Sequence, residues 1–310
     1  MIPLEEIRRA RERIGDAVLR TPLVRFDEHV WLKLENLQPI GSFKLRGALS
    51  AIRAASPSEL AGGVLTASAG NMAQGVAWAA REAGVHAKIV APDDAPRAKL
   101  DAVVRLGGEI ISVPHEVWWQ TMVDRRYDGV EGLFVHPVED DAVMAGNGTI
   151  GLELCEDLAE FDEVIIPWGG GGLTTGIASA VKALRPDVRV VTAEPETAAP
   201  LAASLRAGEP TGIDFAPSFV DGAGGRALLP TMWEHARELV DEAAAVPLED
   251  VREAVRLLAG RTRVVAEGAG ALALAAAQRR EDQVVCIVSG GNIDPAVLAE
   301  ILRSARPPRG

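Results

Sequence analysis

A lysine in an unusual local sequence and a distant run of four glycines have the clearest chemical potential in this chain. Lys44 lies in the sequence Gly-Ser-Phe-Lys-Leu-Arg-Gly at residues 41–47, after a plausible strand at 31–36. A lysine that loses its proton is a nucleophile that forms a Schiff base with a carbonyl. The glycines at 169–172 stand between an apolar segment and a helical pattern, where successive backbone N–H groups can bind a phosphate. The two motifs together suggest a covalently held phosphate cofactor.

Each motif also has a simpler interpretation. Most lysines are solvated surface charges, and a glycine run can be a flexible linker. The apolar segment 164–167 and the helical pattern at 173–178 argue against a linker, because glycines between a strand and a helix let backbone amides approach an anion. A nucleotide phosphate would also suit this loop, but the chain has neither a G-x-x-x-x-G-K-[ST] sequence nor a proper G-x-G-x-x-G. Pyridoxal phosphate carries both the carbonyl and the phosphate that the motifs require.

Two further polar loops follow apolar segments. The first consists of Ser68, Ala69, Gly70 and Asn71. It could serve only as a helix cap, but its amides and hydroxyl could also bind a carboxylate, and Asn71 could donate to a phenolic oxygen. The second, residues 289–292, follows the most apolar predicted strand and could be an ordinary turn.

The hydrophobic pattern predicts an α/β fold with parallel sheets flanked by helices. Strands are predicted at 64–67, 87–90, 109–113, 164–167, 189–193 and 284–289, and helices at 72–83, 95–106, 173–184 and 248–258. In such sheets the ligand lies beyond the carboxyl ends of the strands, so the loops should converge on one crevice. The segment 4–14 predicts an amphipathic helix that docks on the body or on a second subunit, and the tail at 303–310 is expected to fray.

Length and charge exclude several classes of protein. A chain of 310 residues favours two lobes over one core. Acidic residues outnumber basic ones by 44 to 32, and a net charge of -12 disfavours nucleic acid as a partner. The sequence shows no signal peptide and no membrane-length apolar segment, so a cytoplasmic protein is expected. The spacing of the histidines and of the two cysteines argues against zinc.

These motifs resemble those of the fold-type II pyridoxal phosphate enzymes, specifically the threonine/serine dehydratase and serine racemase family. The resemblance covers nearly the whole chain and includes His136-Pro137, Asp221-Gly222 and residues 267–270 in the expected order. It implies a two-lobed, tryptophan-synthase-β-like fold. The small lobe would comprise residues 63–141, inserted between residues 1–62 and 142–310 of a large cofactor-binding lobe. Homodimers are usual in this family.

The resemblance also implies roles for individual residues. Lys44 would hold pyridoxal 5'-phosphate and remove the α-proton of the substrate, and the loop of Ser68, Ala69, Gly70 and Asn71 would bind the substrate carboxylate. Ser289 would face the ring nitrogen, and Glu267 would support the residues that contact the cofactor. The remaining cofactor-binding residues would be Phe43, Asn71, Gly169, Gly170, Gly171, Gly172 and Leu173.

The implied activity is dehydration of a threonine-like or serine-like β-hydroxy amino acid to a 2-oxo acid and ammonia. Racemases of this family use a second serine at the position of Ala69, so racemisation is disfavoured here. β-Replacement, as in cysteine synthases, is a further alternative, although those enzymes usually have a threonine in the carboxylate loop. A catalytically silent sensor with the same fold is the non-enzymatic alternative, against which Lys44 argues.

The chain departs from the family pattern at several positions. Met72 stands where relatives often have histidine, and Trp168 precedes the glycine run where a small aliphatic is usual. Trp118 and Trp119 either line a substrate entrance or pack the small lobe, and packing is favoured. Some relatives bind magnesium or calcium through a Glu-Pro glutamate, a carbonyl four residues on and an acid six residues on. Glu194 is present, but Pro200 occupies the acidic position, so no metal is assigned.

Overall fold

A computed structural model describes residues 1–278 and 280–304, and positions 305–310 of the predicted frayed tail lie outside this part. The strands are β1 (Leu23–Arg25), β2 (Val30–Lys33), β3 (Val64–Ala67), β4 (Ala87–Pro92), β5 (Gly108–Val113), β6 (Leu133–Phe134), β7 (Glu163–Pro167), β8 (Arg189–Pro195), β9 (Glu242–Val246) and β10 (Val284–Ile287). They form a six-stranded sheet in the order β1-β2-β10-β7-β8-β9 and a four-stranded sheet in the order β5-β4-β3-β6.

Helices cover both sheets. They are α1 (Leu4–Ile14), α2 (Lys44–Ala54), α3 (Asn71–Ala83), α4 (Arg97–Arg105), α5 (His115–Asp124), α6 (Asp141–Asp157), α7 (Gly172–Leu184), α8 (Pro200–Ala207), α9 (Pro230–Leu239), α10 (Leu248–Leu257), α11 (Gly268–Ala277) and α12 (Pro295–Arg303). Helix α11 is apolar all round and packs into the core of the six-stranded sheet, as expected for a buried helix. None of the helices in the described part of the chain has the length and apolarity to span a bilayer.

The three central strands of the six-stranded sheet lead to three of the predicted motifs. β10 pairs in parallel with both β2 and β7, and Cys286 aligns with Leu32 on one side and Ile165 on the other. All four residues of β10 are buried, which matches the continuous apolar sequence typical of a central parallel strand. Because parallel strands end at the same edge, the segments that follow β2, β7 and β10 meet there.

The predicted elements are largely confirmed, including the exact bounds of β3 and α1. Ile7, Ala10 and Ile14 of α1 are buried, so this helix docks on the body of the chain. The sheets are parallel as predicted except at one edge, where β1 pairs with β2 antiparallel. A short connection permits antiparallel pairing, whereas parallel strands need a long crossover.

The four-stranded sheet consists of β3, β4, β5 and β6, which all lie within residues 63–141. We propose that these residues form the small lobe. Its hydrophobic core is shared with α2: Leu45 and Leu49 pack in one cluster with Val64, Met72 and Ile89. The helix that begins at Lys44 therefore lies where the two sheets meet.

A buried charge cluster fixes the first turn of α2. The Arg46 guanidinium, 0% exposed, donates to both carboxylate oxygens of Glu35 at 2.8 Å and to those of Glu153 at 2.7 and 3.0 Å. Lys33 completes the cluster through Glu153 at 2.5 Å. Although burial opposes ionisation, the Arg46 charge holds the pKa of Glu35 below its usual value. With two cations and two anions the cluster is neutral, which buried charges require.

We expect Arg46→Ala to lower the free energy of unfolding of the apoprotein by about 3–5 kcal/mol, because it removes the cation that Glu35 contacts and leaves Glu153 with Lys33 alone. Denaturant titration followed by circular dichroism measures this change. Arg97→Ala is the control, since that side chain is 93% exposed and its ion pair with Asp101 is long. Equal effects of the two substitutions would contradict a stabilising role for the cluster.

Candidate active site

The segments that follow the three central strands form one cleft. Lys44 and Phe43 lie on one side, and the glycine run from Gly169 to Gly172 with Leu173 lies on another. Ser289 completes the set of predicted residues that the structure brings together. Pro167, Val138 and Gly222 also line the cleft.

The Lys44 amine is partly buried at the start of α2. Its Nζ donates to the carbonyl oxygen of Pro137 at 2.9 Å and lies 5.1 Å from the centre of the Phe43 ring. Desolvation lowers the pKa of Lys44 to about 8, because burial disfavours the charged form. Unlike Arg46 in the same turn, Lys44 bonds to no carboxylate among residues 1–278 and 280–304. At pH 7 about a tenth of Lys44 is therefore an uncharged nucleophile, far more than of an ordinary lysine.

The glycine run forms the N-terminus of α7. The first bond of the helical pattern runs from the N–H of Thr175 to the carbonyl of Gly171 at 2.8 Å. Helix geometry leaves the N–H groups of the preceding residues without intrahelical acceptors, and they face an anion favourably. Gly171 has φ of +102°, and a Cβ there would lie 2.5 Å from the Trp168 ring. The sequence therefore needs glycine at this point for both conformation and space.

Ser289 is held against the lysine segment by backbone pairing. The N–H of Phe43 donates to the carbonyl of Ser289 at 3.0 Å, and Ser42 forms an antiparallel bridge with Gly290. A further bond joins the N–H of Gly291 to the carbonyl of Gly41 at 2.9 Å. These contacts fix the spacing between the amine of Lys44 and the loop that follows β10.

Asn71 connects the predicted carboxylate loop by hydrogen bonds to segments next to the large sheet. Ser68, Ala69, Gly70 and Asn71 lie outside the cleft lining, at the junction of β3 and α3. The amide of Asn71 donates to Glu267 at 2.8 Å and accepts from Asn292 at 2.8 Å. Burial, with a smaller contribution from Asp221, raises the pKa of Glu267 to about 7. Glu267 thus contacts a residue of the predicted site, at the position expected for a supporting group.

Comparison with known proteins decides the family. The family model "Pyridoxal-phosphate dependent enzyme" matches residues 14–290. The chain belongs to this family. It is 38% identical to an L-threonine ammonia-lyase of Thermotoga maritima, over 97% of this chain and 78% of the relative. It is 36% identical to a catabolic L-threonine dehydratase of Escherichia coli K12, over 97% and 96% of the two chains.

Solved structures agree with this assignment. The structure of maize serine racemase superposes with a TM-score of 0.88 at 32% identity and covers 97% of this chain and 96% of that one. The predicted fold class, a fold-type II pyridoxal phosphate architecture, is confirmed. The cofactor of this enzyme is pyridoxal phosphate.

The residues of the cleft fit this cofactor. A desolvated amine can attack its aldehyde, and the N-terminus of α7 presents backbone N–H groups to its phosphate. A Cβ at Gly172 would approach the Val138 carbonyl to 3.0 Å, so the cradle has no room for a larger residue. We propose that Lys44, Phe43, Asn71, Ser289 and the segment 169–173 hold the cofactor.

The residues that depart from the family pattern mainly pack the core. Met72 is 2% exposed and packs with α2, and Trp118 packs against the small sheet. Trp119 is 45% exposed, and neither of these two tryptophans lines the cleft. Trp168 is 1% exposed, and the edge of its ring packs against Gly171. Its effect on the site is therefore through the backbone of the glycine run.

The Glu194 position does not fit a divalent cation. Its carboxylate accepts the N–H groups of Leu201 and Ala202 at 3.0 and 2.8 Å, so the N-terminus of α8 occupies it. The carbonyl of Ala198, four residues on, accepts from Gly225 at 3.3 Å. Within residues 1–278 and 280–304 no group of three His, Cys, Asp or Glu side chains is placed to hold a metal.

Sequence reasoning did not assign several residues that shape the cleft. The carbonyl of Pro137 binds the Lys44 amine, and Val138 packs over the glycine run. Asp221, beside Gly222, forms an ion pair at 2.5 Å with Lys99 of α4 and so joins the two proposed lobes. The resemblance had marked His136-Pro137 and Asp221-Gly222 as landmarks, but a backbone carbonyl leaves no signal in residue type.

The desolvated amine predicts the pH dependence of cofactor attachment. We expect the rate at which apoenzyme and pyridoxal phosphate form the yellow holoenzyme to rise about fivefold from pH 7 to pH 8, and to level off by about pH 9. An ordinary lysine would continue to gain neutral amine up to about pH 10.4. Stopped-flow absorbance measures the rate, and a continued rise beyond pH 9 would contradict the lowered pKa.

The conformation of Gly171 predicts a matched pair of variants. Gly171→Ala should weaken binding of pyridoxal phosphate at least about tenfold, because the positive φ and the Trp168 ring both force the loop to shift. Gly208→Ala is the control, since its φ is +77° but nothing lies within 4 Å of the added Cβ. Equilibrium dialysis of the apoproteins gives the Kd. Equal weakening in both variants would attribute the effect to general strain.

Proposed function

We propose that this enzyme is an ammonia-lyase that dehydrates a threonine-like or serine-like β-hydroxy amino acid to a 2-oxo acid and ammonia. The observation that carries the proposal is the desolvated Lys44 amine in one cleft with the glycine run and Ser289. The names of the relatives support the same activity, since an L-threonine ammonia-lyase and an L-threonine dehydratase align over 97% of the chain.

Lys44 has two tasks in this reaction. When bound, pyridoxal phosphate holds the amino group of the substrate covalently and withdraws electrons from its α-carbon. The Nζ of Lys44, once released from the cofactor, removes the α-proton as a general base. The pKa of about 8 suits this task, because the amine is both available and basic near neutral pH. The β-hydroxyl leaves as water, and a water molecule then replaces the amino group, which leaves as ammonia, so that the product is the 2-oxo acid.

The remaining residues bind and orient the substrate and cofactor. The N–H groups at the start of α7 hold the phosphate, while the loop of Ser68, Ala69, Gly70 and Asn71 binds the substrate carboxylate. Ser289 contributes a neutral hydroxyl beside the ring nitrogen, where it is less able than a carboxylate to keep that nitrogen protonated. This favours prompt elimination over transamination.

The carboxylate loop separates dehydration from racemisation. Racemisation needs a proton donor on the face of the α-carbon opposite Lys44, and Ala69 offers a methyl group there. The overall similarity to maize serine racemase shows the shared fold, whereas this single position favours elimination. We further propose a homodimer in the cytoplasm, which light scattering after size-exclusion chromatography and cell fractionation would test.

The decisive experiment locates the cofactor and identifies the substrate. The chain has five lysines, Lys33, Lys44, Lys88, Lys99 and Lys182. Borohydride reduction followed by peptide mapping should place the label on Lys44 alone. Purified holoenzyme should release ammonia from at least one of threonine, serine, 3-hydroxyaspartate and a bulkier β-hydroxy amino acid.

Lys44→Arg should lower the rate of ammonia release at least about 100-fold, because the guanidinium stays charged and cannot take the proton. Lys182→Arg is the control, because it keeps the charge opposite Asp241 outside the cleft. Label on another lysine would overturn the assignment of Lys44. Full cofactor occupancy without turnover of any substrate would favour the sensor, and sulfide-dependent formation of cysteine would favour β-replacement.

A further inference from the structure

Three polar side chains from separate segments form a closed group at the edge of the cleft. Asn292 follows β10, Asn71 begins α3, and Glu267 precedes α11. The Nδ2 of Asn292 donates to Asn71, and the Nδ2 of Asn71 donates to Glu267, both at 2.8 Å. The backbone N–H of Asn292 also bonds to Glu267. We refer to Asn71, Glu267 and Asn292 as the amide triad.

A backbone carbonyl fixes the direction of every bond in the amide triad. Asn292 Nδ2 also donates to the carbonyl of Ile40 at 2.9 Å. A carbonyl oxygen only accepts, so the NH₂ group of Asn292 must face Ile40, and its second hydrogen then faces Asn71. Asn71 consequently turns its oxygen toward Asn292 and its NH₂ group toward Glu267. This NH₂ group has two hydrogens, and Glu267 accepts one of them.

Two motif glycines enclose the amide triad. Gly41, from the lysine motif, has φ of +73°, and a Cβ there would lie 2.6 Å from the Oδ1 of Asn292. A Cβ at Gly290 would collide with the Oε1 of Glu267 and come within 3.3 Å of the Nδ2 of Asn71. The segments before Lys44 and after Ser289 are therefore shaped around these side chains, which explains the glycine at both positions.

We propose that Asn292 is a positioning residue that holds Asn71 as a hydrogen-bond donor toward the cofactor. Without the Asn292 donor, the Asn71 amide can rotate and present its oxygen instead. An oxygen is repelled by the ionised phenolic oxygen of pyridoxal phosphate, whereas an N–H stabilises it. The inference rests on the proposed role of Asn71 in cofactor binding, which belongs to the proposed function.

The position of Asn292 limits the size of the expected effect. Asn292 is exposed at the cleft edge, so water can partly replace the hydrogen bond that it donates. We expect Asn292→Ala to weaken binding of pyridoxal phosphate to apoenzyme roughly two- to tenfold, the range for one neutral hydrogen bond. Asn292→Asp should weaken it more, because a carboxylate repels the Asn71 oxygen and turns the amide over.

The test compares apoenzymes of the wild type, Asn292→Ala, Asn292→Asp, Asn71→Ala and the double variant Asn71→Ala/Asn292→Ala. Equilibrium dialysis gives the Kd for pyridoxal phosphate, and absorbance gives the ratio of the yellow band to the near-ultraviolet band of the bound cofactor. This ratio reports ionisation of the phenolic oxygen, which a purely structural role would leave unchanged. Gln283→Ala, which removes an exposed amide that bonds to Glu28, is the control.

If Asn292 acts through Asn71, the double variant binds the cofactor as Asn71→Ala does, within about twofold. The yellow fraction should fall in both Asn292 variants, while thermal unfolding of their apoenzymes matches the control. Wild-type affinity and colour in Asn292→Asp would overturn the proposal, as would independent, multiplying effects of the two alanines. Failure of the wild type to release ammonia would instead count against the proposed function and leave this comparison intact.

Discussion

The position of the Lys44 amine depends on backbone pairing between two segments that are far apart in sequence. The bonds from Phe43 to Ser289 and from Gly291 to Gly41 place the lysine at the carboxyl end of β10. Backbone groups are obligatory hydrogen-bonding partners, so this pairing satisfies them and also sets the site geometry. The spacing between Lys44 and Ser289 is therefore set by backbone bonds between the segments that follow β2 and β10.

Two cationic residues in the first turn of α2 lie in opposite electrostatic environments. Arg46 is fully buried and meets two carboxylates, whereas Lys44 meets a neutral carbonyl. The paired Arg46 charge anchors the helix, whereas desolvation weakens the preference of Lys44 for the charged form. The first turn of α2 thus supplies both an anchor, Arg46, and a reactive group, Lys44. A carboxylate beside Lys44 would raise its pKa, and a lone carbonyl beside Arg46 would leave a buried charge without an opposite charge.

The sequence predicted those parts of the site that need a particular residue type, such as a reactive amine or a run of glycines. The lysine, the glycine run and Ser289 line one cleft, as expected where parallel strands end at one edge, whereas residues 68–71 lie outside its lining. The sequence could not predict β9, whose Glu242–Val246 segment is mostly alanine, or the three-residue antiparallel strand β1. It also could not assign the carbonyl of Pro137 or the orientation of Asn292, since both depend on contacts between distant segments.

Trp168 gives this site an intrinsic optical reporter. Its indole is buried and touches the backbone that is proposed to grip the phosphate, so its emission should lie at the short wavelengths typical of an apolar environment. Bound pyridoxal phosphate absorbs light in the region where such an indole emits, and energy transfer falls steeply with distance. Occupancy of the cleft can therefore be followed by the loss of ultraviolet fluorescence, without any attached dye.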